Sequence, residues 1–175
     1  LLLTGTGAMA ENRKRAGMST PPVTGESSLK YFLDRLADAK PAPHGEHILL
    51  VHNVTLKQDD IDAAKKSMDN VFWAICPLSN IFIHNSLPPV RLMRENGLDI
   101  CLGTDSLSSN DDLDMMAELV CLHENFSDVP MAELFRWASR NGAEFLGKEN
   151  VLGSFEEGRR PGIVLVNGLD ENGNI

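Results

Sequence analysis

At 175 residues the chain is long enough for one domain with a real core. Sixteen basic against twenty-five acidic side chains leave a net charge of −9, a field that repels phosphate backbones and argues against nucleic acid as a partner. No apolar stretch approaches the roughly 20 residues that span a bilayer, and LLLTGTGAMAENRKR opens on a short apolar triplet with no basic region before it, so neither a membrane anchor nor a signal peptide is expected.

Leu1 in place of Met makes the chain read as cut at its start, with the triplet as the tail of a strand. The first periodic segment, SSLKYFLDRLADA (27–39), places Leu29, Phe32, Leu33 and Leu36 on one helical face, with Ser27 or Ser28 as its cap. KPAPHGE (40–46) reads as a loop. HILLVHN (47–53) is a continuous apolar run, the pattern of a strand buried on both faces. QDDIDAAKKSMDN (58–70) is a helix with acids first and lysines later, the order its dipole favours.

VFWAIC (71–76) is the next strand, ended by Pro77, and CPLSN (76–80) reads as a turn. PPVRLMRENG (88–97) is a helix with proline near its start and glycine after its end. LDICLGTD (98–105) is a third strand. DDLDMMAELVCLHENF (111–126) and PMAELFRWASRNGAEFLG (130–147) are two further helices, the first capped by Asp111 or Asp112. From residue 150 the composition changes: glycines at 153, 158, 162, 168 and 173 surround the strand-like IVLV (163–166). The alternation of helix and strand predicts an α/β fold of parallel βαβ units, an open sheet or part of a barrel. The expected division is residues 1–149 as barrel and 150–175 as β material of a second, small domain.

Cys76, Cys101 and Cys121 are far apart and lack C-x-x-C spacing, so free thiols and a reducing cytoplasm are expected. The chemistry concentrates at two strand ends. Asp105 leaves the apolar run of LDICLGTD abruptly, where α/β barrels place their working groups and a carboxylate can bind a metal or take a proton. Ser106, Ser109 and Asn110 follow as the turn that fixes it. His52 ends ILLVH in the same way, and an imidazole suits proton transfer near neutral pH. Asn80 and Ser106 are candidates to line a substrate pocket, although an asparagine-containing turn explains Asn80 as well. His44, His47, His84 and His123 are weaker candidates. There is no G-x-S-x-G, no glycine-rich phosphate loop and no H-x-H or H-E-x-x-H spacing.

Taken in order, LLVHNVTLKQDDI, CPLSNIFIHNSLPPV, LGTDSLSSNDDLDMMAEL, WASRNGAEFLG and LGSFEEGRRPGIVLV resemble the C-terminal half of amidohydrolase-superfamily enzymes, in the branch of chlorohydrolases and of S-adenosylhomocysteine/methylthioadenosine and guanine deaminases. The resemblance runs from about residue 27 to the end. It implies the C-terminal part of a (β/α)8 TIM-like barrel, a divalent metal (zinc, or else iron) at the C-terminal ends of the strands, and hydrolysis of a C–N bond of a purine-like or other cyclic amidine by activated water. Asp105 then corresponds to the last-strand metal ligand and proton shuttle. His52 corresponds to the histidine at the end of the sixth strand, which orients the hydroxide and stabilises the transition state, and it lies near the metal as a further candidate ligand. Residues from Val151 correspond to part of the small β domain.

The chain departs from the family pattern where the remaining ligands belong. It has no H-x-H pair, and Thr4 and Gly7 stand where a histidine and its neighbouring glutamate would align. Glu11 lies close by but is not taken as catalytic. Half a barrel also leaves unpaired strand edges, so the chain is expected to be part of a larger assembly (through a second copy or a complementary half-barrel chain), a piece of a longer protein, or a degenerate relative. The contrasting reading is a non-catalytic remnant or interaction module that docks on a partner; a third is an open-sheet domain that binds a small ligand without metal.

Overall fold

The computed structural model describes residues 2–38 and 46–170. They form two compact units, Leu1–Gly45 with Lys57–Asp69, and Glu46–Leu56 with Asn70–Ile175. Residues on both sides of position 150 lie in the second unit.

The first unit holds three helices, α1 (Ala8–Arg15), α2 (Ser28–Asp38) and α3 (Gln58–Ser67). Ser27 caps α2: its Oγ accepts the Lys30 N–H at 3.1 Å. Asp60, in the first turn of α3, accepts the Lys57 N–H at 3.1 Å and the hydroxyl of Ser27, tying the two helix starts together. Ile61 and Ala64 are fully buried on the inner face of α3. The loop read at 40–46, with His44, falls almost entirely outside the described residues.

The second unit is built on a parallel sheet in the order β1 (Ile48–Val51), β2 (Val71–Ile75), β3 (Asp99–Leu102). Its register aligns Leu50 with Trp73 and Trp73 with Ile100. Trp73, Ile75 and Ile100 are buried on one face. On the other, Phe72, Ala74 and Cys101 form a cluster against which Leu49 and Phe145 pack. This two-sided burial explains the unbroken apolar run of β2 and of Ile100–Leu102 in β3. β1 differs from expectation: its residues are only half-buried, and Val51 is exposed. It pairs with β2 alone among the described residues, so it is an edge.

Five helices complete the unit: α4 (Pro77–His84), α5 (Val90–Glu95), α6 (Met115–Asn125), α7 (Met131–Ala138) and α8 (Arg140–Phe145). Four of these depart from the sequence reading. CPLSN opens α4, with Pro77 at the first helical position where its missing N–H is no loss. The helix read at 111–126 starts later, because Asp114 is the residue whose side chain accepts the Met116 N–H, at 2.8 Å. The helix read at 130–147 is two, broken at Ser139, whose hydroxyl donates to the Phe135 carbonyl at 2.6 Å and whose backbone leaves the helical region.

Residues 163–166 form no β ladder among the described residues, and Ile163, Val164 and Leu165 are 85%, 82% and 81% exposed. A strand needs a paired neighbour to satisfy its backbone, and these residues have none among the described residues. No helix among the described residues is long and apolar enough to cross a membrane.

The three cysteines are buried and free. Burial pushes the thiols up, Cys76 and Cys121 to about 11 and Cys101 to about 12. The native protein is therefore expected to resist iodoacetamide at pH 8 while the unfolded chain takes three labels. Mass spectrometry reads the difference, and rapid native labelling of any of the three would contradict this packing.

Candidate active site

The C-terminal edge of the sheet is where the polar groups gather. The ladder runs one bond past each strand, with the His52 N–H donating to Ala74 O at 2.9 Å and the Gly103 N–H to Ile75 O at 3.0 Å. His52 is thereby fixed as the first residue beyond β1. It and Asn53 adopt left-handed backbone, with φ of 72° and 56°, and the Asn53 amide donates to Leu50 O at 2.8 Å to hold the turn. Asp105 is left-handed too, with φ of 58°. Both candidate residues thus sit in a conformation that L side chains seldom adopt, the kind of local strain that concentrates at functional sites.

These turns bring His52 Nε2 to 3.7 Å from Asp105 Oδ2, with each side chain about one-third exposed. Asp105 Oδ2 also accepts two hydroxyls, Ser79 at 2.8 Å and Ser109 at 2.9 Å. Ser79 donates in addition toward Ser109 Oγ at 2.9 Å. The Ser79 hydroxyl, then that of Ser109, hold the Asp105 carboxyl below its ordinary value of 3.8, with the His52 ring adding a smaller pull in the same direction. The stability this gives is present above the ordinary carboxylate range and is lost as pH falls through the depressed value. Asp105→Asn is therefore expected to shrink the fall in urea midpoint between about pH 5 and 2; an unchanged acid loss would show that these hydroxyls do not stabilise the charge.

Behind His52, the ring nitrogen Nδ1 lies 2.9 Å from Asn80 Oδ1. A carbonyl oxygen only accepts, so Nδ1 carries the hydrogen and a neutral ring presents its Nε2 lone pair toward Asp105. Asn80 is 0% exposed, with its Oδ1 behind the histidine ring. Its Nδ2 is buried without a partner among the described residues. Ser106 is exposed, and its Oγ meets that of Ser108 at 2.6 Å. His47 is elsewhere, with its Nδ1 2.6 Å from Phe145 O and its ring against Phe72. His84 closes α4 and His123 lies in α6.

Sequence reasoning missed Glu118. It is fully buried in α6, accepting the Leu78 N–H at 2.9 Å and the Asn110 amide at 2.6 Å. Burial pushes its carboxyl up in spite of those two bonds, the reverse of Asp105. Two acids a short way apart are thus driven in opposite directions by their surroundings. The available signal was a glutamate on the apolar face of DDLDMMAELVCLHENF, where Leu119 and Leu122 also point inward.

The fit to a metal can be tested on the donors themselves. Adjacent ligands on tetrahedral zinc, with bonds of about 2.0–2.1 Å, stand roughly 3.3 Å apart. The separation of His52 Nε2 and Asp105 Oδ2 is close to that, so the pair suits two ligands of one ion. No group of three His, Cys, Asp or Glu side chains converges among the described residues, whereas a catalytic zinc takes three protein ligands.

The chain is similar to known proteins of one family. Residues 25–175 match the pattern of the Amidohydrolase family. A 5-methylthioadenosine/S-adenosylhomocysteine deaminase of Syntrophomonas wolfei is 35% identical over 130 residues, covering 70% of this chain and 30% of its own length. A 5'-deoxyadenosine deaminase of Methanosarcina acetivorans is 31% identical over 129 residues, covering 70% and 29%. Among solved structures, the aminofutalosine deaminase of Helicobacter pylori superposes with a TM-score of 0.68 at 25% identity, covering 91% of this chain and 38% of that one. An adenosine deaminase of Xanthomonas campestris with bound zinc shares the fold, with a TM-score of 0.59 at 24% identity and 86% and 32% coverage. The chain spans about 30% of the length of the curated relatives it matches. Its three parallel strands with their helices are accordingly part of a barrel, and the chain belongs to the amidohydrolase family.

Proposed function

We propose that this chain supplies one side of the active site of a hydrolytic deaminase that removes an amino group from an adenosine-like ring or a related cyclic amidine. The observation that carries the reading is the meeting of His52 Nε2 and Asp105 Oδ2, 3.7 Å apart, on left-handed turns at one edge of a parallel sheet. Names of relatives and neighbours that act on adenosine derivatives support the substrate class.

In this reading Asp105 would hold a divalent ion, for which we propose zinc, completed by ligands outside the described residues, with His52 beside it and its Nε2 left free to face the water. When bound there the ion supplies a water that ionises near neutral pH. The chain's own groups then handle protons. Asp105, ionised and steadied by Ser79 and Ser109, takes a proton from the water as its oxygen bonds to the ring carbon. His52 Nε2, its ring fixed by Asn80, accepts a hydrogen bond on the opposite side and aligns the attack. Asp105 passes that proton to the ring nitrogen, which takes the electron pair released by attack, and then carries the remaining hydroxyl proton to the departing amino group, so an amidine and water become a ring N–H beside a carbonyl, and ammonia. We further propose that residues 150–175 join a small β domain, and that the protein works in a reducing compartment such as the cytoplasm, where its three buried thiols stay free.

The test is ammonia release from adenosine, 5'-deoxyadenosine and S-adenosylhomocysteine by the full-length protein, with metal content measured on the same sample. Turnover with about one divalent ion per chain supports the reading. Absence of ammonia release from a zinc-loaded, folded protein across these substrates would remove it and favour a docking module, to which the missing third ligand among the described residues already gives a foothold.

A further inference from the structure

The first turn of α4 sends three consecutive residues to three different parts of the site. The Leu78 N–H goes to Glu118 Oε2 on α6, the Ser79 hydroxyl to Asp105 after β3, and Asn80 Oδ1 receives the His52 ring after β1. Residues this close along a helix keep a fixed mutual geometry, so the turn places His52 and Asp105 relative to each other. The turn itself has one side-chain anchor at its start, the Glu118 carboxylate on the Leu78 N–H.

The same carboxylate grips the other end of the arrangement. Glu118 Oε1 accepts the Asn110 amide at 2.6 Å, and that amide also donates to the Thr104 carbonyl at 2.9 Å, directly before Asp105. One buried side chain therefore clamps both the helix that carries Ser79 and Asn80 and the loop that carries Asp105 and Ser109. Burying a carboxylate is expensive unless its bonds serve the fold or the site. Its two oxygens are each used by a donor from a different element, with the group at 0% exposure.

We propose that Glu118 is a positioning residue that locks the first turn of α4 to the loop between β3 and α6, and through them sets the separation of His52 and Asp105. It touches neither group and acts through Leu78 and Asn110. The kinetic part of this proposal rests on the function proposed above; the geometric part does not. Glutamine at this position keeps one acceptor and turns an N–H₂ toward the remaining donor, so it releases one arm. Alanine releases both. Asn110→Ala releases the loop arm and leaves the Leu78 bond in place.

The experiment compares E118A, E118Q and N110A in the full-length protein by amide hydrogen exchange with mass spectrometry and by steady-state kinetics with 5'-deoxyadenosine. In E118A, exchange is expected to quicken about tenfold or more in peptides covering both 76–82 and 103–110, with kcat down about tenfold to a hundredfold and KM within about threefold. E118Q should move the same readouts less, and it decides the matter if E118A does not fold. N110A should quicken exchange in 103–110 alone. Unchanged exchange in either segment of a folded Glu118 variant overturns the clamp, and unchanged kcat with both segments loosened overturns the positioning role. If the wild-type protein releases no ammonia, the proposed function falls while the exchange pattern still decides whether Glu118 joins the two elements.

Discussion

Asp105→Ala in the full-length protein is expected to lower kcat/KM by on the order of 10⁴-fold or more, the scale seen when a group that moves the reacting proton is removed, and to reduce bound metal well below one ion per chain. The carboxylate is the one oxygen donor at the meeting point with His52, and the two serines that hold it offer no substitute charge. Backbone geometry adds a second, separable effect. At φ of 58° alanine is strained by about 1–2 kcal/mol, whereas glycine takes this conformation freely. Asp105→Gly should therefore be as inactive as Asp105→Ala yet unfold at higher urea concentration. Turnover within tenfold of wild type in either variant would end the assignment of Asp105. Equal urea midpoints for the two would show that the left-handed turn stores no strain at this position.

What was legible in the sequence divides along physical lines. β2 announced itself because both its faces are buried and every residue in the run is apolar, and β3 because Ile100, Cys101 and Leu102 continue that pattern after an exposed Asp99. His52 and Asp105 were visible because each ends such a run with a polar group, a break in pattern that hydrophobic burial alone does not produce. α4 was hidden. Its sequence PLSNIFIH starts with the residue that usually ends a strand and continues with β-branched and aromatic side chains of modest helix propensity. Ile81, Phe82 and Ile83 are exposed among the described residues, so no apolar stripe of helical period marks the segment. With the helix unseen, Ser79 and Asn80 could be read only as pocket-lining or turn residues, and their work on opposite sides of the site could not be inferred. Glu118 was hidden for a related reason: a lone acid within an apolar helix face is meaningful only once the donors from Leu78 and Asn110 are known to reach it.

The role of Asn80 gives the sharpest contrast between two substitutions of nearly equal size. Its Oδ1 fixes the hydrogen on His52 Nδ1, while its Nδ2 is buried with no partner among the described residues. Asn80→Leu removes both the useful acceptor and the unsatisfied donor, so stability should change by no more than about 1 kcal/mol while the imidazole loses its tether. A fall in kcat/KM of about 10- to 100-fold is expected, the range for removing the partner of a working histidine, and it should persist across pH. Asn80→Asp keeps an acceptor in the same place but makes it a carboxylate. A negative partner favours the protonated imidazole, which then carries a hydrogen on Nε2 and cannot accept one from water. This variant should lose a similar factor near neutral pH and recover toward wild type as pH rises. A pH–rate series on the two variants distinguishes tether from tautomer. Recovery in the aspartate variant alone identifies control of the Nε2 lone pair as what Asn80 contributes, parallel losses at every pH would reduce it to holding the ring, and wild-type rates in both would remove Asn80 from the site altogether.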